Sequence, residues 1–527
     1  MKKLLSIILC AALLFALAVP SFAEDEAAGG ASPVVIVPGF GETRLYRVND
    51  DGSRTLYYHG VVDSFKEKLG DFIPAALASV IGIYSPLHSF LDDIGAVVGS
   101  LTGMKPDGTS LNPVEIWPCG VENTSYKALK ENGGWSAVDT PAQMAPALAE
   151  KVGEENVFVF TYDWRYGTRT LAAQLSDYVD GVLAATGASK VSFYGNSYGC
   201  QLIAEYLYTH DNSLVDSVML CSPGWTGTRM VGDLFVESKN DLDINIPAGV
   251  QSFARYFRYE LDIDFLLKLL PKRIVRDVVY YAVNTILKDY YLGATSVWCL
   301  CSHEDYEELK GRLLDPVENA AVIEEADYVQ NGVVTHIPEI IEAAQAAGVR
   351  FAVIAGEGVG MMTGHDENGD CIVNISNATG GEATMLGKTF TDGRSGEYIA
   401  PSNDLDLTNA FLPDNTWVFQ GFTHGQCMWD VSADLVIGFL SGSIDDVYSD
   451  PAFPRFADSR SPALTVSLTL EDRADNYLDT AAGEVKAVIR NNSGENAVKI
   501  TRVRVNGLDY KVSGAAGKLE PGESRVV

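Results

Sequence analysis

Short, unbroken runs of apolar and mostly β-branched residues recur along this chain, separated by stretches with helical spacing. Pro33-Val-Val-Ile-Val-Pro-Gly-Phe-Gly41 is the first, and Asn156–Phe160, Lys190–Tyr194 and Asp216–Leu220 repeat the pattern. Val349–Ala355 and Thr416–Phe419 are later examples. A run apolar at every position, ended by a turn, is how a strand covered on both faces of a parallel sheet reads. Between the runs, Thr170–Ala185 and Gln201–Thr209 carry the three-to-four-residue period of helices packed on one side. Strands alternating with helices predict βαβ units and an α/β fold with a mostly parallel sheet.

Two insertions break the rhythm. Residues 60–135 contain the apolar run Phe72–Tyr84, interrupted by Pro74 and followed by Pro86, His88 and Asp92-Asp93, which is too short to span a bilayer. Residues 225–345 hold amphipathic helices, notably Phe265–Leu270 and Val275–Leu287. Helical insertions after sheet strands belong over the strands' C-terminal ends, where ligands bind, so they are expected to cap an apolar site. Helices merely packed on the core are the other reading of any one of them.

The α/β alternation is expected over residues 24–445, and 446–462, around Pro451-Ala-Phe-Pro454, reads as a linker. Ala463–Leu470 and Lys499–Val505 then alternate with period two, with Asn491-Asn492 and Asn506-Gly507 as turns. Residues 463–527 are therefore expected to form a small all-β, immunoglobulin-like sandwich. The sequence stops at Arg525-Val-Val527, where a further strand is due, so the sandwich reads as incomplete.

The first 23 residues are expected to be a signal peptide cleaved after Ala23. Lys2-Lys3 precede the apolar run Leu4–Val19, and Ser21-Phe-Ala23 has the small-residue spacing of a cleavage site. Cys10 lies too deep in that run to be a lipoprotein cysteine. The protein is accordingly expected to be bacterial and secreted or held at the cell surface. Net charge is −31, and losing Lys2 and Lys3 makes it −33. Such acidity excludes nucleic acid as a partner and excludes electrostatic docking on anionic lipid. A lipid substrate would have to be held by apolar contacts. Seven cysteines remain after cleavage (119, 200, 221, 299, 301, 371 and 427), an odd number without C-x-x-C spacing. Neither a disulfide framework nor a metal site is expected, and no cofactor.

Gly195-Asn-Ser197-Tyr-Gly199 carries the chemistry. The apolar run Val191–Tyr194 leads into it and the helical run Gln201–Leu207 leads out. That strand-turn-helix setting is what a nucleophile elbow requires, with the Ser197 hydroxyl exposed and a helix N-terminus facing developing negative charge. A serine needs a base, and downstream of Ser197 the histidines are 210, 303, 336, 365 and 424. His424 follows the last apolar strand and is the expected base. The acid belongs after the penultimate strand, where Glu357, Asp366, Glu367 and Asp370 lie; Asp370, on the loop approaching His424, is preferred. Asp366-x-Asn368-x-Asp370 also has the oxygen spacing that opens a calcium loop, but Cys371 and Asn377 stand where glycine and glutamate are needed. The oxyanion donors are expected to be the backbone N–H of Tyr198 and that of Phe40 or Gly41.

Several segments together resemble the lecithin:cholesterol acyltransferase family, which includes lysosomal phospholipase A2. Val35-Ile-Val-Pro-Gly-Phe40 is similar to its oxyanion loop, Tyr162-Asp-Trp-Arg165 matches its YDWR tetrapeptide, and Ser197 falls on its nucleophile. Ser222–Gly227, Gly369-Asp-Cys-Ile-Val373 and Leu412–His424 resemble later segments, the last two carrying its acid and histidine. The resemblance covers about residues 33–440; Asn196 replaces the usual histidine, and no disulfide-closed lid is evident. It implies an α/β-hydrolase acting on lipid acyl esters through an acyl-enzyme that passes to water or to an alcohol, water being the expected acceptor here. Membrane or cell-surface contact would run through the cap and the C-terminal domain. The rival readings are a carboxylesterase for cell-wall or polysaccharide esters and a catalytically inactive surface binding protein.

Overall fold

The computed structural model describes residues 32–56, 69–134, 144–245, 271–364, 366–424, 430–458, 466–470, 486–493, 496–501, 503–505, 508–510 and 517–527. The expected signal peptide, the run Phe265–Leu270 and His365 lie outside these residues. The centre is a seven-stranded sheet: β1 (Val34–Val37), β2 (Val157–Val159), β3 (Val191–Asn196), β4 (Val215–Cys221), β5 (Arg350–Glu357), β6 (Thr416–Gln420) and β7 (Phe456–Asp458). The spatial order is β7-β6-β5-β4-β3-β1-β2, and every pairing is parallel.

The reason these strands read as continuous apolar runs is visible in how they divide. Val35 and Val37 point into one core with Phe193, Val218 and Leu220, while Val34 and Ile36 point into another with Tyr194, Met219 and Cys221. Side chains alternate across a strand, so a sheet covered on both faces must be apolar at every position. The first core is closed by α2 (Thr168–Thr186), α3 (Tyr198–Thr209) and α4 (Ile337–Ala346), the second by α1 (Ala145–Val152) and α5 (Asp430–Leu440). All four β1 side chains are fully buried. Each such aliphatic side chain contributes about 1.5–3 kcal/mol relative to exposure.

Both insertions are helical. The first holds Leu69–Val80, with Pro74 inside it, and Ser85–Thr102. The second holds Lys272–Ala282 running into a π-helical stretch Val283–Leu287, followed by His303–Leu313 and Ala320–Tyr328. They are joined where Asp277 accepts from Lys239 (2.8 Å) and pairs with His88 (2.7 Å), whose ring stacks on Tyr281 at 3.9 Å.

The stretch expected to be a linker is in part sheet: β7 pairs with β6, and Val418 N donates to the Arg455 carbonyl at 2.7 Å. The three residues Phe456–Asp458 are too few to show a period, and the strand exists because β6 offers it an unpaired edge. Beyond it the strands are short and antiparallel. Val466–Leu470, Ala487–Asn491 and Ser524–Val526 form one sheet, so the last residues themselves supply a strand. Val503–Val505 pairs with Leu508–Tyr510, and Val498–Lys499 pairs with Lys518–Leu519; the expected turn Asn506-Gly507 lies outside the described residues.

Candidate functional site

Ser197 sits between β3 and α3 at φ 52°, ψ −118°, a conformation that costs a non-glycine residue on the order of 1–3 kcal/mol. The surroundings hold it there. Its N–H donates to the Cys221 carbonyl (3.0 Å), and its carbonyl accepts from Cys200 (3.0 Å) and Gly224 (3.1 Å). The two flanking glycines are needed for close approach. A Cβ on Gly199 would lie 2.3 Å from the Val37 carbonyl oxygen, and one on Gly195 would lie 2.5 Å from Ile203 Cδ1. Only without those atoms can α3 start against the end of β1. Ser197 is 8% exposed.

Asp370 lies on the loop after β5 and His424 on the loop after β6. Because all seven strands are parallel, these loops leave the same edge of the sheet as the Ser197 turn. His424 Nδ1 is 2.8 Å from Asp370 Oδ2, and His424 N–H donates to the Asp370 carbonyl at 2.7 Å. The other carboxylate oxygen, Oδ1, accepts from Ile372 N (3.0 Å) and Val373 N (2.8 Å). These bonds are possible because Cys371 takes φ 83°, a sharp turn made by cysteine where glycine is the usual choice. Burial pushes the His424 pKa down, but the Asp370 carboxylate, helped by the Glu42 charge, outweighs it and holds the imidazole above its ordinary value.

Two other acids on that stretch lie in different surroundings. Glu367 pairs with Arg229 at 3.3 Å and accepts from the Asn374 amide. Glu357 is buried near Asp404, and burial first, then that charge, pushes its carboxyl up to about 8. The calcium reading meets oxygens already in use. Asn368 Oδ1 accepts from Gly358 N at 2.7 Å, and Asp370 spends both oxygens as above. Among the described residues no group of three or more His, Cys, Asp or Glu is arranged to hold a metal ion. Of the other described downstream histidines, His210 stacks on Tyr206, His303 meets Gln330, and His336 meets Thr335.

The loop Pro38–Thr43 brings Phe40 and Gly41 to the same edge, with Gly41 at φ 79°. The Tyr-Asp-Trp-Arg segment braces it: Tyr162 Oη donates to the Pro38 carbonyl, Trp164 Nε1 donates to the Thr43 carbonyl (3.1 Å), and Phe40 packs on Trp164 at 4.4 Å. Arg165 works in the opposite direction. It grips Asp163 with two nitrogens and donates to the Thr102 carbonyl (3.1 Å) and Ser110 Oγ (3.0 Å), fastening the first insertion to the core. An open cleft of about 560 Å³ lies beside it, lined among others by Lys105, Asp163, Arg165 and Tyr166. Tyr198, next to Ser197, is tied to the end of the Tyr162–Tyr166 segment because its hydroxyl donates to the Tyr166 carbonyl at 2.8 Å.

The roles of two further parts of the site are not legible in the sequence. Ser222–Gly227 straps the serine turn to the acid loop, through Gly224 N on Ser197 O, Trp225 Nε1 on Ala378 O (3.0 Å) and Thr226 Oγ1 on Asn377 O (2.8 Å). Glu42, 1% exposed, accepts two bonds from the Asn196 amide (2.9 and 3.0 Å) and one from Gly39 N–H. Its only sequence signal was a charge three residues after Gly39, indistinguishable from an exposed loop residue.

Residues 132–273 match the family model described as the alpha/beta hydrolase fold. None of the curated protein sequences matches this chain. Among solved structures, the Tle4-Tli4 complex aligns at 12% identity over 62% of this chain and 74% of the other, with a TM-score of 0.25. A carboxylesterase structure from the Thaumarchaeon Nitrososphaera gargenis aligns at 11% identity over 57% and 88%, TM-score 0.24. Proline iminopeptidase of Mycobacterium smegmatis aligns at 16% identity over 57% and 85%, TM-score 0.22. The seven-stranded parallel sheet, its covering helices and the family-model match give this chain the α/β-hydrolase fold, followed by small antiparallel sheets at its C-terminal end.

Proposed function

We propose that this protein is a secreted serine hydrolase that cleaves lipid acyl esters, phospholipids included, through an acyl-enzyme. Ser197 Oγ attacks the ester carbonyl while His424 takes its proton, and Asp370 holds the imidazolium that forms. The backbone N–H groups of Tyr198 and of Phe40 or Gly41 take the charge of the tetrahedral oxyanion. His424 then protonates the departing alcohol, and the acyl group passes to water, or to an alcohol that occupies the same place. The observation that carries the reading is the strained Ser197 turn at the sheet edge from which the His424–Asp370 pair also emerges.

A lipid substrate is supported by the first insertion. Leu77, Val80, Ile81 and Ile83 are 65%, 39%, 76% and 50% exposed within seven consecutive residues. So concentrated an apolar tip is a surface for contact with apolar material. With a net charge of −31, that contact would be hydrophobic and not electrostatic. The test is labelling with a fluorophosphonate, followed by hydrolysis of long-chain lipid esters and acetylated sugars. Labelling lost in Ser197→Ala, with long-chain esters preferred, is expected. A native protein that stays unlabelled would sink the serine-hydrolase reading, and a preference for acetylated sugars would sink the lipid one.

A further inference from the structure

Glu42 has no part in the reaction just described, yet it is buried at its centre. A Cβ placed on Gly39 would lie 2.9 Å from both Glu42 Oε2 and Ser197 Cβ, and 3.2 Å from Asn196 Nδ2. The carboxylate therefore faces the serine across Gly39, a position in the oxyanion loop that has no side chain. Its oxygens bind the amide of Asn196, the last residue of β3, and the N–H of Gly39, in the loop after β1. Two neighbouring strands end here, one delivering the serine and the other the expected oxyanion donor, and Glu42 is bonded to both. Satisfying Gly39 N–H internally also fixes the Pro38–Gly39 peptide, one before the peptide that carries the Phe40 N–H. Asn196, which departs from the histidine usual before the serine, thereby has a defined partner.

We propose that Glu42 is a positioning residue of the active site, setting the distance between the oxyanion loop and Ser197 through its bonds to Gly39 N–H and the Asn196 amide. The inference rests on the serine-hydrolase reading above. Hydrogen bonds to an ionised acceptor are about twice as strong as neutral ones, which suits a tie that must hold geometry. A misplacement of about 1 Å at such a site costs roughly 100-fold in rate. The same carboxylate acts on the base: the charges that raise the His424 imidazole are Asp370 first and Glu42 after it.

The experiment follows hydrolysis of a soluble p-nitrophenyl ester by wild type, Glu42→Gln, Glu42→Ala and Asn196→Ala, each normalised to fluorophosphonate-reactive sites, and by Ser197→Ala, normalised to folded protein. Glu42→Gln should lower kcat at least about tenfold with little change in KM, and move the acid limb of kcat/KM to lower pH. Glu42→Ala should lose more, having no acceptor left for Gly39 N–H. Asn196→Ala should lower kcat without moving the acid limb, because the Glu42 charge remains. A Glu42→Gln kcat per reactive site within threefold of wild type overturns the proposal. If neither Glu42 variant folds, a wild-type kcat in Asn196→Ala overturns it equally. Activity surviving in Ser197→Ala would instead refute the serine-hydrolase reading itself.

Discussion

Exchanging Asp370 for asparagine and for alanine separates its proposed catalytic work from its structural work. Its Oδ1 accepts the N–H groups of Ile372 and Val373, and its Oδ2 faces His424 Nδ1 at 2.8 Å. Asparagine keeps the volume and, with its carbonyl oxygen in the Oδ1 place, both backbone bonds. Its NH2 group then meets Nδ1, and two donors cannot share that contact. The imidazole is left in the tautomer that carries its proton on Nε2, where the lone pair of a base is needed. An equivalent exchange in a serine protease costs about 10⁴ in kcat, or about 5 kcal/mol at about 1.4 kcal/mol per factor of ten. Alanine abolishes the same activity and also orphans two buried N–H groups, at about 1–3 kcal/mol each. Both variants should therefore be inactive per folded molecule, with Asp370→Asn melting near wild type and Asp370→Ala clearly lower. Loss of the carboxylate also removes what holds the His424 pKa up, so residual activity should keep its acid limb at lower pH. The assay is ester hydrolysis across pH beside thermal unfolding of the same samples. An Asp370→Asn kcat within tenfold of wild type would refute the reasoning, and a collapse in Glu357→Gln or Asp366→Asn instead would name a different acid.

Glu357 gives a prediction about stability. Folding raises its carboxyl from 4.5 to about 8, so the folded chain keeps a proton that the unfolded chain loses, and this group's contribution to stability falls as pH rises through that window. Glu357→Gln should be near neutral at about pH 4 and stabilising by on the order of 2–4 kcal/mol at about pH 9, and equal shifts at both pH values would contradict it. Arg165→Met leaves Asp163 without its partner and frees the first insertion, so urea unfolding should show a loss of about 3–5 kcal/mol, with Arg165→Lys only partly restoring it. A wild-type midpoint for the Met variant would show that the staple contributes nothing. Leu77→Glu with Ile81→Glu should cut hydrolysis of zwitterionic phospholipid vesicles at least about tenfold and leave a soluble short-chain ester untouched, both residues being exposed. Equal losses on the two substrates would remove the apolar tip from the account.

How far the chain could be read without coordinates follows from how local each signal is. The β1 run and its relatives, the helices after them and the strand-turn-helix around Ser197 were legible because burial on two faces, helical period and glycine spacing are written in consecutive residues. The order Ser197, Asp370, His424 came from the same source, since each follows a strand end. β7 was not legible: three residues carry no period, and only the free edge of β6 makes them a strand.

By itself, then, the sequence determined the alternating α/β plan, the two helical insertions, the β character of the C-terminal end and a short set of chemically competent residues. Tertiary structure decided which acid meets His424, because Glu357, Glu367 and Asp370 are all near strand β5 in sequence and only the left-handed turn at Cys371 aims one of them. It also decided what the Tyr-Asp-Trp-Arg segment does, since Tyr162 and Trp164 reach the Pro38–Thr43 loop, more than 100 residues away in sequence, while Arg165 reaches the first insertion. Glu42 belongs to the same class. A carboxylate's place, whether at a surface or against a serine, is set by which chain segments fold over it, and no local pattern of hydrophobic and polar residues encodes that.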